Sequence, residues 1–356
     1  MKSQTLLTTF LLLLAQFATA ENEYVTDVAA DDQTVWVGTQ SHILFQIDKS
    51  NGKVKAIELP AVTSEMKTDY SISKLCVAPS GLFIGLNKYG VLNQVGNEFL
   101  FTQIPPKGQS ISAATVDAHG KVWFAGLSVL RQDIVGVEPA QIPPFDPVAN
   151  IKFRSMVFDD KGKLWLGSEG SIYGFWKYTE ENGPQDIPCE GYSHFYIKSL
   201  AVDQAGNVWI GAARHGLVKY DGTDFTKYAP CGITIPTDYA HGPDNLNFDK
   251  EGRLLFSMDS KLVNTSDGGE TFVVKQELPS AITAICVDDD DIYIGTQKNG
   301  LFLLRDGELL PVDLTGTVGI EKKITPRTNP AKRYSLTGAA AFSKGMVVTE
   351  GKKTVK

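Results

Sequence analysis

The sequence predicts an all-β fold: a β-propeller of seven four-stranded blades. Three observations predict it. One motif recurs seven times, its copies starting at Val25, Ile72, Ile111, Phe153, Ile197, Pro243 and Ile282, which are 47, 39, 42, 44, 46 and 39 residues apart. Units of about 40–45 residues are the size of a propeller blade. Each copy reads as short runs of Val, Ile, Leu and aromatic residues broken by Asp, Gly and Asn, which is strand-and-turn chemistry. No helical periodicity separates the copies, so a parallel α/β fold is excluded.

The template is Ile197-Lys-Ser-Leu200-Ala-Val202-Asp203-Gln-Ala-Gly206-Asn-Val208-Trp209-Ile210-Gly211. Its first run, Ile197 to Val202, is strand A. The Asp-x-x-Gly step is a tight turn, because Asp accepts from backbone N–H groups and Gly tolerates positive φ. Val208-Trp209-Ile210 is strand B. Gly216 to Tyr220 is strand C, and Asp221-Gly222-Thr223 turns into strand D. The other copies keep parts of this register. The first keeps Asp31, Trp36 and Gly38; the second keeps Gly81 with Phe83 at the Trp place; the third keeps Asp117, Gly120 and Trp123. The fourth keeps Asp159, Gly162, Trp165 and Gly167; the sixth keeps Asp249 and Gly252; the seventh keeps Asp288 with Tyr293 at the Trp place.

A single blade has two apolar faces and cannot bury them alone. Neighbouring blades cover both faces, and a closed ring leaves only short, protected edges. The aromatic residue of strand B is expected to wedge between blades as core. The count is seven, with an eighth blade left open by Leu336 to Thr349, which weakly copies the pattern.

The chain ends differ from the repeats. Lys2, the apolar run Leu6 to Phe17 and the small residues Ala18-Thr19-Ala20 read as a signal peptide over 1–20. The run is short for a membrane span, and cleavage would leave Glu21 first rather than a lipidated Cys. The domain reading is therefore a signal peptide at 1–20, a propeller over 21–314 and an extension or partial eighth blade over 315–356. A soluble periplasmic or secreted protein is expected, with no membrane insertion after cleavage. A net charge of −7 gives no broad electrostatic footprint for nucleic acid.

Asp203 to Gly211 followed by Gly216 to Asp221 resembles the two-component regulator propeller repeat, and the likeness covers most of residues 25–304. That family forms periplasmic sensor regions of bacterial hybrid histidine kinases and also stands alone in secreted proteins. The resemblance implies a ligand-binding module; this chain shows no kinase after its repeats. Thr265-Ser-Asp267-Gly-Gly269-Glu-Thr271-Phe272 is similar to the Asp-box of sialidases and other propellers, which implies a structural hairpin. Pro243 to Asp249 is similar to inner strands of streptogramin lyase and gluconolactonase propellers.

Common catalytic and phosphate-binding signatures are missing: His-Glu-x-x-His, Gly-x-Ser-x-Gly, Cys-x-x-Cys, the Walker loop and Gly-x-Gly-x-x-Gly. Topology then says where to look. If strand A runs from a near face to a far face, the Asp-x-x-Gly turns and the C–D turns share the far face. The D–A connections and B–C loops share the near face. Near-face segments carry Tyr70, Lys74, Arg154, Tyr196, Lys198, Tyr239, His241 and Asp244 at or just before strand A, and Arg214 and His215 in a B–C loop. Aromatics that stack and cations that meet anionic or hydroxylated groups suit a ligand pocket at the channel mouth. His119 and the acidic run Asp288 to Asp291 fall in far-face turns, where solvated turn chemistry is preferred over catalysis or calcium. Cys76 and Cys286 share one strand A place and read as buried core thiols. Cys189 and Cys231 lie in successive D–A connections and are expected to form a disulfide.

The functional expectation is a noncatalytic extracytoplasmic propeller that binds a small molecule, glycan or protein, with no cofactor or metal assigned. The alternative is a propeller lyase or lactonase using His241, His215 or nearby carboxylates at the channel mouth, with or without the help of a metal ion.

Overall fold

The computed structural model describes residues 23–315, apart from 61–69, 89, 105–109, 144–150, 170–173, 193–194, 229–241, 266–268 and 270. It is a seven-bladed β-propeller, each blade an antiparallel sheet of four consecutive strands. Blade 1 holds β1 (Val25–Ala30), β2 (Thr34–Thr39), β3 (Ile43–Asp48) and β4 (Val54–Glu58). Blade 2 holds β5 (Ile72–Ala78), β6 (Gly81–Leu86), β7 (Gly90–Val95) and β8 (Glu98–Gln103). Blade 3 holds β9 (Ala113–Val116), β10 (Val122–Ala125), β11 (Val129–Gln132) and a short β12 (Ala140–Gln141). Blade 4 holds β13 (Lys152–Phe158), β14 (Leu164–Glu169), β15 (Phe175–Thr179) and β16 (Gly183–Asp186). Blade 5 holds β17 (Ile197–Val202), β18 (Val208–Ala212), β19 (Gly216–Tyr220) and β20 (Phe225–Tyr228). Blade 6 holds β21 (Asp244–Phe248), β22 (Leu254–Met258), β23 (Lys261–Thr265) and β24 (Val273–Glu277). Blade 7 holds β25 (Ile282–Asp288), β26 (Asp291–Thr296), β27 (Leu301–Arg305) and β28 (Glu308–Val312).

The core lies between the blades. Seven clusters of buried apolar side chains each draw on two neighbouring blades. The ring closes by packing of blade 7 on blade 1: Val25, Val28 and Phe45 share a cluster with Cys286, Tyr293 and Leu303. The Thr283 hydroxyl donates to the Val25 carbonyl at 2.6 Å across this seam. The seventh blade thus uses four consecutive strands of its own. The weak eighth copy at 336–349 and the signal sequence lie outside the described residues.

The repeated residues explain themselves at the far face. Asp31, Asp117, Asp159 and Asp203 each accept two backbone N–H bonds within their own turn through Oδ1. Through Oδ2 each also accepts the indole N–H of its strand B tryptophan, at 3.1, 2.9, 3.1 and 3.0 Å for Trp36, Trp123, Trp165 and Trp209. The Asp and the Trp are therefore one unit: a buried indole needs an acceptor, and the turn carboxylate supplies it. Blade 6 has Leu255 at the Trp place, and Arg253 Nε takes the free oxygen of Asp249 at 2.6 Å. Blades 2 and 7 carry Phe83 and Tyr293, which have no indole N–H, and there the turn shrinks to the two residues between Ala78 and Gly81 or between Asp288 and Asp291.

The glycine ending strand B has a different cause. A Cβ on Gly38, Gly85, Gly167 or Gly295 would lie 2.2–2.7 Å from a methyl of Ile72, Ile111, Ile197 or Val25, the residue opening the repeat copy of the next blade. Close approach between blades therefore dictates this glycine. The wedge expectation holds: Trp209 is 2% exposed and packs with Leu246, Leu254 and Phe256 of blade 6.

Candidate functional site

Strand A is the innermost strand, and its first turn of sequence builds the channel. In blades 1, 2, 4, 5 and 7 a β-bulge follows the first residue of the repeat copy, so that Thr26, Ser73, Arg154, Lys198 and Thr283 are extra residues with no partner on strand B. In blade 6 the irregularity spans Asp244 to Asn247, where Asn245 adopts a φ of 54°. A bulge re-aims its side chain out of the sheet pattern. It here sends Arg154 and Lys198 to the channel rather than between blades.

The next polar residue ties neighbouring blades together. Asp27 Oδ2 accepts the Leu75 N–H at 2.7 Å, Ser155 Oγ accepts the Leu200 N–H at 2.9 Å, and Ser199 Oγ accepts the Leu246 N–H at 2.9 Å. These donors sit on the inner edge of a strand A that has no further strand to pair with, so a side chain of the preceding blade satisfies them.

The resulting channel encloses about 120 Å³. Charges line it in a definite order around the ring. Blade 1 contributes Asp27, blade 2 Lys74, blade 4 Arg154, blade 5 Lys198 and blade 6 Asp244. Blade 3 contributes Ala113 and Ala114, and blade 7 Ile285. Cations thus occupy blades 2, 4 and 5, and carboxylates occupy blades 6 and 1. Lys74 Nζ pairs with Asp27 Oδ1 at 3.2 Å, and Lys198 Nζ with Asp244 Oδ2 at 3.2 Å. Beside the channel, Glu169 at the end of β14 gathers a second group. Lys152 Nζ lies 2.7 Å from its Oε2, Arg154 Nη1 lies 3.4 Å from its Oε1, and the Tyr196 hydroxyl donates to Oε1. Burial raises the Glu169 carboxyl, but Lys152, Tyr196 and Arg154 outweigh it and hold the group below its usual range. Burial and the bond to Glu169 push the Tyr196 phenol up, so it stays protonated and donates.

Four of the residues singled out from the sequence, Lys74, Arg154, Lys198 and Asp244, therefore meet at one channel, and Tyr196 reaches the carboxylate beside it. The rest fall elsewhere. Tyr70 belongs to the core between blades 1 and 2: it is 4% exposed, its hydroxyl donates to the Pro60 carbonyl at 2.7 Å, and burial pushes its phenol up to about 12. Its apolar ring is better buried than left at the mouth. Arg214 and His215 form the turn between β18 and β19, where Arg214 has a φ of 65°. His215 packs edge-on against Tyr192 and Phe195 at 5.3 and 5.7 Å, away from the channel lining. Tyr239 and His241 lie outside the described residues.

Cys76 and Cys286 are buried free thiols, as their shared strand A place implied, and burial pushes Cys76 up to about 12. No disulfide is seen among the described residues. Cys189 is a free thiol that donates to the Ile187 carbonyl at 3.1 Å; its expected partner, Cys231, lies outside the described residues. The acidic turn is held by cations: Asp288 by Lys49, Asp290 by Lys250 and Asp291 by Arg305. Asp27, Lys152 and Glu169 were missed by sequence reasoning. Asp27 was findable, because it occupies the same strand A place as Lys74, Ser155 and Ser199.

No family model matches the chain, and no curated protein matches it in sequence. Solved structures do match in shape. Virginiamycin B lyase from Staphylococcus aureus superposes with a TM-score of 0.65 at 14% identity, covering 80% of this chain and 94% of that one. The extracellular domain of a hybrid two component system from B. thetaiotaomicron gives 0.62 at 19% identity, covering 80% of this chain but 39% of that one. YCF48 bound to D1 peptide gives 0.60 at 15% identity, covering 83% and 94%. What these proteins share with this chain is the propeller. Their activities differ, so the site must be read from its own residues.

Proposed function

We propose that the chain is an extracytoplasmic, noncatalytic binding propeller of the sensor-module kind, which takes a small molecule, glycan or protein segment at the channel mouth of the near face. One observation carries the reading: Lys74, Arg154, Lys198 and Asp244, chosen from four separate blades, line a single channel. A ring of rigid strands presents them, which is the usual arrangement for a preorganised binding site. The resemblance of the repeats to two-component regulator propellers and the shape shared with a sensor's extracellular domain support the same reading. A noncatalytic role fits the chemistry, since Lys198 and Asp244 neutralise each other and His215 is packed among aromatics.

The test is an array of extracellular glycans and peptides probed with the full chain and three variants. Arg154→Ala and Lys198→Ala are expected to lose the bound signals at least tenfold while melting like the parent. Asp159→Asn, on the far face, is expected to keep the signals and melt earlier. Signals that survive both near-face changes and vanish with Asp159→Asn would place binding on the other face.

A further inference from the structure

We infer that the channel mouth is a site for a small monocarboxylate, anchored by Arg154; this rests on the channel being the ligand face. The arginines differ in how well they are held. Arg253 places Nε 2.6 Å from Asp249 and Nη2 2.8 Å from Glu251. Arg305 grips both oxygens of Asp291. Arg131 reaches Asp133 at 2.9 Å and Glu180 at 2.8 Å. Arg154 has one contact among the described residues, 3.4 Å to Glu169, whose two oxygens already serve Tyr196 and Lys152. Most of its five N–H donors meet no described residue and can serve a ligand or water.

Charge balance selects the class of ligand. The Lys74–Asp27 and Lys198–Asp244 pairs cancel, so among the described residues the lining carries one positive charge in excess, and it is Arg154. A single negative charge completes the balance. A dianion such as phosphate would meet Asp27 and Asp244 in the same channel. The guanidinium fork matches the two oxygens of a carboxylate in geometry as well as in charge. Beside Arg154 in the ring, blade 3 presents Ala113 and Ala114, which leave space at the anion's place. At about 120 Å³ the channel admits a small acid or the acidic end of a longer molecule. Glu169 stands as an internal competitor, occupying Arg154 weakly when no ligand is present.

N-acetylglycine is the probe, with N-acetylglycinamide as its uncharged counterpart and inorganic phosphate as the dianion, titrated against the full chain by calorimetry or ligand-observed NMR at constant ionic strength. The acid is expected to bind at least tenfold more tightly than the amide and more tightly than phosphate. Arg154→Ala is expected to remove that preference, Arg154→Lys to keep part of it, and Glu169→Gln to strengthen acid binding several-fold by freeing the guanidinium. Equal binding of acid and amide, or an acid preference that survives Arg154→Ala, overturns the inference. The two readings fail separately. Array signals that need Arg154 and Lys198 alongside indifference to the acid would remove the carboxylate and keep the channel. Array signals indifferent to both would remove the channel itself.

Discussion

At the far face, Asp31, Asp117, Asp159 and Asp203 each hold two backbone N–H groups and one indole. At the near face, the second residue of each repeat copy is Thr26, Ser73, Ser112, Arg154, Lys198, Asp244 or Thr283 in turn. The blades are built on one plan, so each face serves as a control for the other. Where the repeat keeps its residues, the side chains answer to the blade's own backbone and core. Where it changes them from blade to blade, the side chains part ways: Arg154, Lys198 and Asp244 line the channel, whereas the Ser112 and Thr283 hydroxyls donate to carbonyls of the next blade. The repeat thus marks the positions that every blade needs, and the variable place is where single blades can turn a charged side chain to the channel.

Gly167 tests the limits of this division with the largest expected effect. It lies at the near face yet belongs to the repeated set, because a Cβ there would sit 2.2 Å from Ile197 Cγ2. Gly167→Ala is expected to lose about 1–3 kcal/mol of stability, the usual cost of overpacking. Denaturant unfolding measures it. Combining it with Ile197→Ala should lose less than the two single changes added together, since they act at one contact. Strict additivity would show that the glycine is kept for another reason.

Asp159→Asn comes next. Oδ1 of Asp159 accepts the N–H groups of Lys161 and Lys163, so the amide of an asparagine is forced against the Trp165 indole N–H. Two donors then face each other. A loss of about 1–2 kcal/mol is expected, in the range for an unsatisfied buried donor, with no change in the affinity for N-acetylglycine. A drop in that affinity would show that the two faces are coupled and that the division is wrong.

The architecture was legible because it is written many times over. Asp, Gly and Trp at fixed offsets gave the blade, and the seven starting points gave the ring. The site was legible only in part, for a physical reason. Lys74, Arg154, Lys198 and Asp244 could be placed because strand A register is shared between blades. Tyr70 could not, because an aromatic residue in a connection suits both a mouth and a core, and its bond to the Pro60 carbonyl is visible only in three dimensions. Glu169 is the clearest omission. It sits at the end of β14, outside the repeated register, and gains its role from Lys152, Arg154 and Tyr196, which reach it from β13 and from the segment leading into β17. The disulfide expectation rested on two similar connections; Cys189 faces the Ile187 carbonyl as a free thiol, and Cys231 lies outside the described residues.

The smallest predicted effect concerns Asp186, the near face's contrast to the far-face carboxylates. Strand β16 ends there, where the chain turns toward Ile187 and Cys189. Its Oδ1 is buried and has no hydrogen-bond partner among the described residues. Burial raises its carboxyl above the ordinary value, with the Ile187 N–H opposing the shift. The sign follows from proton linkage. The folded state holds this proton more tightly than the unfolded chain, so the group's favourable contribution is complete below the unfolded carboxylate range and is lost as pH rises through the folded value. Asp186→Asn removes the charge that burial disfavours and keeps the shape. It is expected to stabilise the protein at pH 7 by about 0.5–1 kcal/mol, a modest figure because the side chain is only partly enclosed. The advantage should shrink toward zero as pH falls below the usual carboxylate range, where Asp186 is protonated in both states. Paired urea melts of the two proteins at neutral and acidic pH measure the difference. A gain that is the same at both values would mean that the buried charge is not its source, and a loss at pH 7 would mean that Asp186 is satisfied as the far-face carboxylates are.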